Sequence, residues 1–151
     1  MRCLITGTRF GRPDVWYWML RFVRRFGVPE FVLGDNKGAW RTHHRADGTP
    51  LERVWYVGVD ALALDLCERE GWPYEVHVAE WGIYGRSAGF RRDEKMVAAC
   101  SPGDYALAFP SPIEYSRGTW TTAGLANDAR LNVFVVPHVR VLRPRAERLA
   151  A

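Results

Sequence analysis

Two short turns and one helix face hold the residue types that recognise an anion. Gly7-Thr8-Arg9 follows the apolar run Cys3-Leu4-Ile5, and Gly118-Thr119 follows the run Tyr105-Ala106-Leu107-Ala108-Phe109. Glycine in such a turn lets backbone N–H groups approach a phosphate at a helix N-terminus, and Arg9 can add a fork of charged donors. The plainer reading stands beside it. Any strand-to-helix turn tolerates a glycine, and Thr119 suits a capped helix start with no ligand. The third cluster is Gly85-Arg86-Ser87-Ala88-Gly89-Phe90-Arg91-Arg92-Asp93-Glu94-Lys95-Met96. Arg92, Lys95 and Met96 fall within about one helical turn and can share a ligand edge; equally, Asp93 and Glu94 can neutralise the arginines on a solvated face.

Carboxylates are the other half of the chemistry. Asp60 opens a helix, where it can accept from a ribose hydroxyl or cap its own helix. Asp35 is a second candidate, and Gly34 before it at the end of a strand is expected at the ligand with it. His43 and His44 are adjacent in sequence, point in different directions and have no carboxylate or cysteine at ligand spacing, so no metal site is expected. No cofactor is expected either. Trp40, Arg41, His43, His44 and Trp55 lie in a polar insertion, residues 36–57, that either closes over the site as a lid or decorates the surface. His77 and His138 read as structural residues, while Trp16 and Trp18 flank a core helix and can serve a subunit interface.

These residues need elements to hold them. Apolar runs alternate with helical patterns, which is the signature of an α/β sheet. Strands are expected at residues 3–5, 31–33, 74–78, 105–109 and 132–136. Helices are expected from Pro13 to Phe26, from about Val59 to Glu70 before Gly71, from about Arg86 to Cys100, and from Gly118 onward. Residues 80–86 and 110–117 read as loops, and the basic tail 138–151 as an edge strand with a frayed end. The expected architecture is one Rossmann-like, doubly wound domain over residues 1–151, with a mainly parallel five-stranded sheet in the order 3-2-1-4-5 and an insertion between the second strand and second helix. That order puts the ligand crevice between strands 1 and 4, beside both glycine-bearing turns.

Composition narrows the classes of function. The 151 residues, 48% hydrophobic and 25% charged, fit an ordinary globular chain, and no apolar run reaches the eighteen or so residues of a membrane span. The N-terminus enters an apolar strand directly, unlike a signal peptide. Net charge is +4, and the arginines, 19 of the 21 basic residues, are dispersed, which argues against a nucleic-acid partner. Cys3, Cys67 and Cys100 are an odd number without CxxC spacing, consistent with a reducing cytoplasm.

Taken in order, Gly7-Thr8-Arg9, Gly58-Val59-Asp60, Trp81-x-x-Tyr84-Gly85-Arg86-x-Ala88-Gly89-x-x-Arg92-Asp93 and Arg117-Gly118-Thr119 resemble the SLOG superfamily. The resemblance is greatest to its small YspA-like branch, whose pieces read roughly GSR, GAD, W-x-x-YG-x-x-AG-x-x-RN and G-x-GT. It covers about residues 2–137. Relatives include the LONELY GUY phosphoribohydrolases, the DNA-processing protein A family, molybdenum-cofactor carriers and sensing domains of antiphage systems. The resemblance implies a Rossmann-like pocket for a nucleotide-derived small molecule, with Trp81, Tyr84, Arg86, Arg92 and Arg117 joining the turn residues at the ligand, and a homodimer. LONELY GUY enzymes carry PGGxGTxxE; here the glutamate position holds Thr122, which has no carboxylate to act as a base. Arg92 matches the family arginine.

Three functions follow as expectations. The first is non-catalytic binding of a nucleotide-derived ligand for carriage, sequestration or sensing, including a phage-type sponge for a signal nucleotide in the host cytoplasm. The second is cleavage of a nucleotide N-glycosidic bond, with Arg92 and Asp60 as catalytic residues. The third is binding of single-stranded DNA.

Overall fold

The computed structural model describes residues 1–112 and 115–137. The strands of its main sheet are β1 (Arg2–Gly7), β2 (Glu30–Leu33), β5 (Tyr74–Val76), β6 (Tyr105–Phe109) and β7 (Asn132–Val135). They are all parallel and run β5-β2-β1-β6-β7 across the sheet. Counted within this sheet alone, the order is 3-2-1-4-5. The chain therefore winds outward from β1 to one edge, returns, and winds outward from β6 to the other.

Burial of both faces explains the composition of β1 and β6. Cys3 and Ile5 turn to one side, where they meet Val15, Met19 and Phe22 of α1 (Val15–Phe26) and Val59, Ala63 and Leu66 of α2 (Val59–Glu70). Leu4, one residue out of phase, meets Met96 and Val97 of α4 (Ala88–Ala98) and Ala126 of α5 (Arg117–Asp128) on the other side. A strand covered on both faces reads as a continuous apolar run, as these do. Gly71, with φ 69°, ends α2 in the left-handed conformation that glycine adopts without steric penalty.

One expectation is corrected here, the loop at residues 80–86, and two others gain detail. The polar stretch inside residues 36–57 is an antiparallel hairpin of β3 (Gly38–His44) and β4 (Pro50–Val57). Its strands were illegible because arginine, histidine and threonine fill positions that a buried strand would make apolar. Residues 80–86 are not a loop: α3 (Trp81–Tyr84) and a 3-10 turn (Gly85–Ser87) carry the chain into α4. Trp16 and Trp18 are engaged within the chain, Trp16 Nε1 donating to the Leu62 carbonyl and Trp18 Nε1 to Asp14 Oδ2. The expected tail element and His138 lie outside the described residues.

One buried cation secures the ends of the strands near the crevice. Arg12, 2% exposed, forms an ion pair with Asp14 and donates to the carbonyls of Pro110, Val136 and Pro137. A guanidinium out of water needs that many acceptors. It ties the turn after β1 to the chain leaving β6 and β7.

Candidate functional site

A cavity of about 320 Å³ opens at the carboxyl ends of β1 and β6, where the winding reverses. One wall is Gly7-Thr8-Arg9-Phe10, and the opposite wall is Tyr115-Ser116-Arg117-Gly118-Thr119. Asp60, Arg92, Asp93 and Asn36 complete its polar lining, with Met96 and Ile5 as apolar floor. The two turns and Arg92 thus face one space, as the switch-point rule for doubly wound sheets requires.

The first turn is shaped by packing. A Cβ on Gly7 would lie 2.6 Å from Val59 Cγ2, so glycine here lets α2 approach β1. Thr8 donates its N–H to the Phe109 carbonyl and accepts at its own carbonyl from Val59 N–H, which binds the turn to both β6 and α2. Its Oγ1 accepts from Phe10 N–H. Arg9 is exposed, its guanidinium 5.3 Å from the Phe10 ring centroid.

The second turn has the opposite character. A Cβ on Gly118 would meet nothing within 4 Å, so the start of α5 is open. Ser116, preceding the helix, makes no side-chain cap; its Oγ accepts from Ser111 N–H instead. The first-turn N–H groups of α5 have no intrahelical acceptors, and the residues that carry them, Arg117, Gly118 and Thr119, line the cavity at the positive end of the helix dipole. Among the described residues, no carboxylate pairs with Arg9 or Arg117.

Arg92 lines the cavity and is also paired with carboxylates. Its Nη1 donates to Asp35 Oδ1 at 2.7 Å and its Nε to Asp93 Oδ1 at 3.0 Å. Burial alone would lower its pKa, but Asp93, Asp35 and Asp60 outweigh that and push it above the ordinary value. Arg92 is therefore the counterion of an acidic cluster, and it meets the cavity already neutralised. Gly34 makes room for the arrangement: a Cβ there would sit 2.6 Å from Asp60 Oδ2 and 3.3 Å from Arg92 Cζ. Asp35 stands behind Arg92, outside the cavity lining, and also accepts from Ala79 N–H.

Asp60 does not cap α2, whose start has no side-chain cap. Its Oδ2 accepts from Asn36 N–H at 3.0 Å, and burial pushes its pKa up to about 6 despite the opposing pull of Arg92. A cavity carboxylate whose pKa burial raises this far is a candidate functional position.

Thr122, at the glutamate position of the LONELY GUY pattern, is fully buried. Its Oγ1 lies 2.9 Å from Asp93 Oδ2 and 3.0 Å from the Gly118 carbonyl, so the side chain fixes Asp93 against the start of α5. Burial raises the Asp93 pKa, outweighing Arg92 and Thr122. Asp93 is the main site residue that sequence reading missed. It passed for a neutralising surface charge, and its partner Thr122 lies 29 positions away. Phe10, Asn36, Tyr115 and Ser116 also line the cavity without having been singled out.

Five expected contacts fall outside the cavity lining: Gly34 and Asp35, and with them Trp81, Tyr84 and Arg86. Trp81 is 60% exposed, Arg86 is exposed, and Tyr84 receives Arg91 and Lys95 over its ring. Of the insertion, only Asn36 lines the cavity. The hairpin's inner face packs instead on the turn after β1, with Arg41 over the Phe10 ring and Tyr56 edge-on to it. No group of residues suited to a metal ion occurs among the described residues, and none of their helices is long and apolar enough to cross a membrane.

The chain matches no protein-family model, no curated protein and no solved structure.

Proposed function

We propose that the cavity binds a nucleotide-derived small molecule and does not turn it over, so that the protein acts by carriage, sequestration or sensing. The observation that carries this reading is the polarity of one small space. At its rim, the uncapped N-terminus of α5 and Arg117 stand across from Arg9; the acceptor Asp60 belongs to its polar lining. A phosphate suits the rim through charge-assisted hydrogen bonds, and a ribose hydroxyl or base amino group suits the carboxylate. Tyr115, 76% exposed at the cavity, offers an aromatic face for a base. The volume is near the lower end of the range for small-molecule sites, about 300–1,000 Å³. It favours a mononucleotide-sized ligand over a polymer. The order of motifs shared with the SLOG superfamily supports the same reading, including sequestration of a host signal nucleotide by a phage protein.

A second reading is cleavage of a nucleotide N-glycosidic bond, favoured by Asp60, a cavity carboxylate with a pKa of about 6. Such a group can exchange a proton with a leaving base near neutral pH. Against it stands Thr122, which is committed to Asp93 and supplies no second carboxylate. Incubation with nucleoside monophosphates and cyclic nucleotides, followed by chromatography for free base, separates the two. Binding without base release is expected; base release abolished by Asp60→Asn establishes the enzyme.

A cytoplasmic homodimer belongs to the same proposal. Trp81, Ile83 and Phe90 present large exposed apolar side chains on the α3–α4 segment, a composition that suits a helical subunit contact. Light scattering checks this, with a 17.3 kDa species as the contrary result.

A further inference from the structure

The edge of the sheet farthest from β5 has a second recognisable surface. Strand β7 is the last strand of the sheet, and among the described residues no strand pairs with its outer side. An open strand edge offers unpaired N–H and C=O groups to an added strand. Beside it lies an apolar groove of about 270 Å³ between α1 and the β6–β7 pair, floored by Phe22, Phe26, Leu107 and Phe134. Phe134 is 44% exposed although its ring stacks on Tyr105, so α1 stops short of covering this end of the sheet.

The rim of the groove is strongly basic. Arg21 and Arg25 border it, and Arg24 lies with them on the neighbouring face of α1 beside Tyr17 and Leu20. Arg21 donates to Tyr17 Oη and lies over the Trp18 ring, and Arg25 lies over the Phe26 ring. Among the described residues, no carboxylate pairs with any of the three.

From the open edge, the apolar floor and three arginines with no carboxylate partner among the described residues, we infer that the α1–β7 groove docks an extended acidic segment of a partner protein. The segment adds as a strand beside β7, sets alternate apolar side chains into the groove and turns acidic ones to Arg21, Arg24 and Arg25. Main-chain pairing supplies affinity in this mode of recognition, and the side chains supply selectivity. A second copy of the chain fits poorly, because a two-fold contact sets the same patch against itself and brings the three arginines onto their own symmetry mates. The chain's own residues 138–151 fit poorly for the same reason, with four arginines against one glutamate.

The test uses two fluorescein-labelled peptides, one alternating glutamate with valine and one alternating lysine with valine, titrated with the full chain at low salt and read by anisotropy. The acidic peptide is expected to bind and the basic one not, with binding about tenfold or more weaker in Arg21→Glu/Arg25→Glu. Phe134→Glu is expected to weaken it as well, and circular dichroism checks that both variants are folded. Equal affinity for the two peptides, or no loss in the folded variants, overturns the proposal. So does cosedimentation with phosphatidylserine vesicles in the absence of peptide binding, which assigns the patch to a membrane surface. A dimer that dissociates in Arg21→Glu/Arg25→Glu assigns it to a second copy and overturns it equally.

Discussion

Arg92 and Asp35 form a 2.7 Å ion pair across 57 positions of sequence, and the pair changes what Arg92 can do. With Asp93 on its Nε and Asp60 close by, this guanidinium balances acids that would otherwise repel one another. In the proposed binding mode, an anion at the cavity rim is left to Arg9, Arg117 and the start of α5.

Replacing Arg92 is therefore expected to harm stability before it harms binding. Arg92→Met leaves Asp35, Asp60 and Asp93 without their counterion, a loss of about 2–4 kcal/mol, below or within the usual cost of breaking a buried pair because Asp35 is partly exposed. Urea denaturation measures it. Adding Asp35→Asn to Arg92→Met is expected to recover part of the loss.

Asp60 sets a pH dependence of definite sign. Its folded pKa is raised from 3.8 to about 6, so the native state binds a proton that the unfolded chain has released between these values. The contribution of Asp60 to stability is full below pH 4, falls as pH rises to about 6, and is constant above. The Tm of Asp60→Asn minus that of wild type is expected to increase through this window and then level off. A difference that shrinks with rising pH contradicts the burial argument.

Gly7 is held by α2 packing against β1. Gly7→Ala drives a methyl group onto Val59 and is expected to cost about 1–3 kcal/mol, as overpacking does. Val59→Gly in the same chain is expected to return part of it, because Val59 Cβ itself lies 2.7 Å from that methyl position. Chemical denaturation of the single and double variants checks the pairing.

The legibility of this chain follows from where its apolar residues stand. β1 and β6 are covered on both faces, so Cys3–Ile5 and Tyr105–Phe109 announce themselves as apolar runs. The order of strands and the cavity between β1 and β6 follow from them. The hairpin was hidden because its inner face, with Arg41, His43 and Tyr56, is only half-buried and its outer face exposes Trp40 and Trp55. Glycine gave ambiguous signals. Gly7 and Gly34 relieve contacts with Val59 and Asp60, whereas Gly118 stands in open space. Asp93 carried no sign in sequence that Thr122 would hold it at the cavity. Trp81, Tyr84 and Arg86 share a motif with the site, yet the short α3 turns them away from it.

Thr122 is expected to act through Asp93. Thr122→Val keeps the shape and removes the hydroxyl, raising the Asp93 pKa further and costing about 1–2 kcal/mol. Carboxyl NMR titration of Asp93 reads the shift. An unchanged titration shows that the Gly118 carbonyl is the hydroxyl's true partner.

A nucleotide-derived anion held between Arg9 and Arg117 beside Asp60 is detectable by calorimetric titration of the folded protein with nucleoside monophosphates and cyclic nucleotides. Wild type is expected to bind at least one of them, with Arg117→Ala weakening that affinity about ten- to a hundredfold, the loss of one charge-assisted contact. No binding across the panel, or binding that Arg117→Ala and Arg9→Ala leave unchanged, contradicts the account.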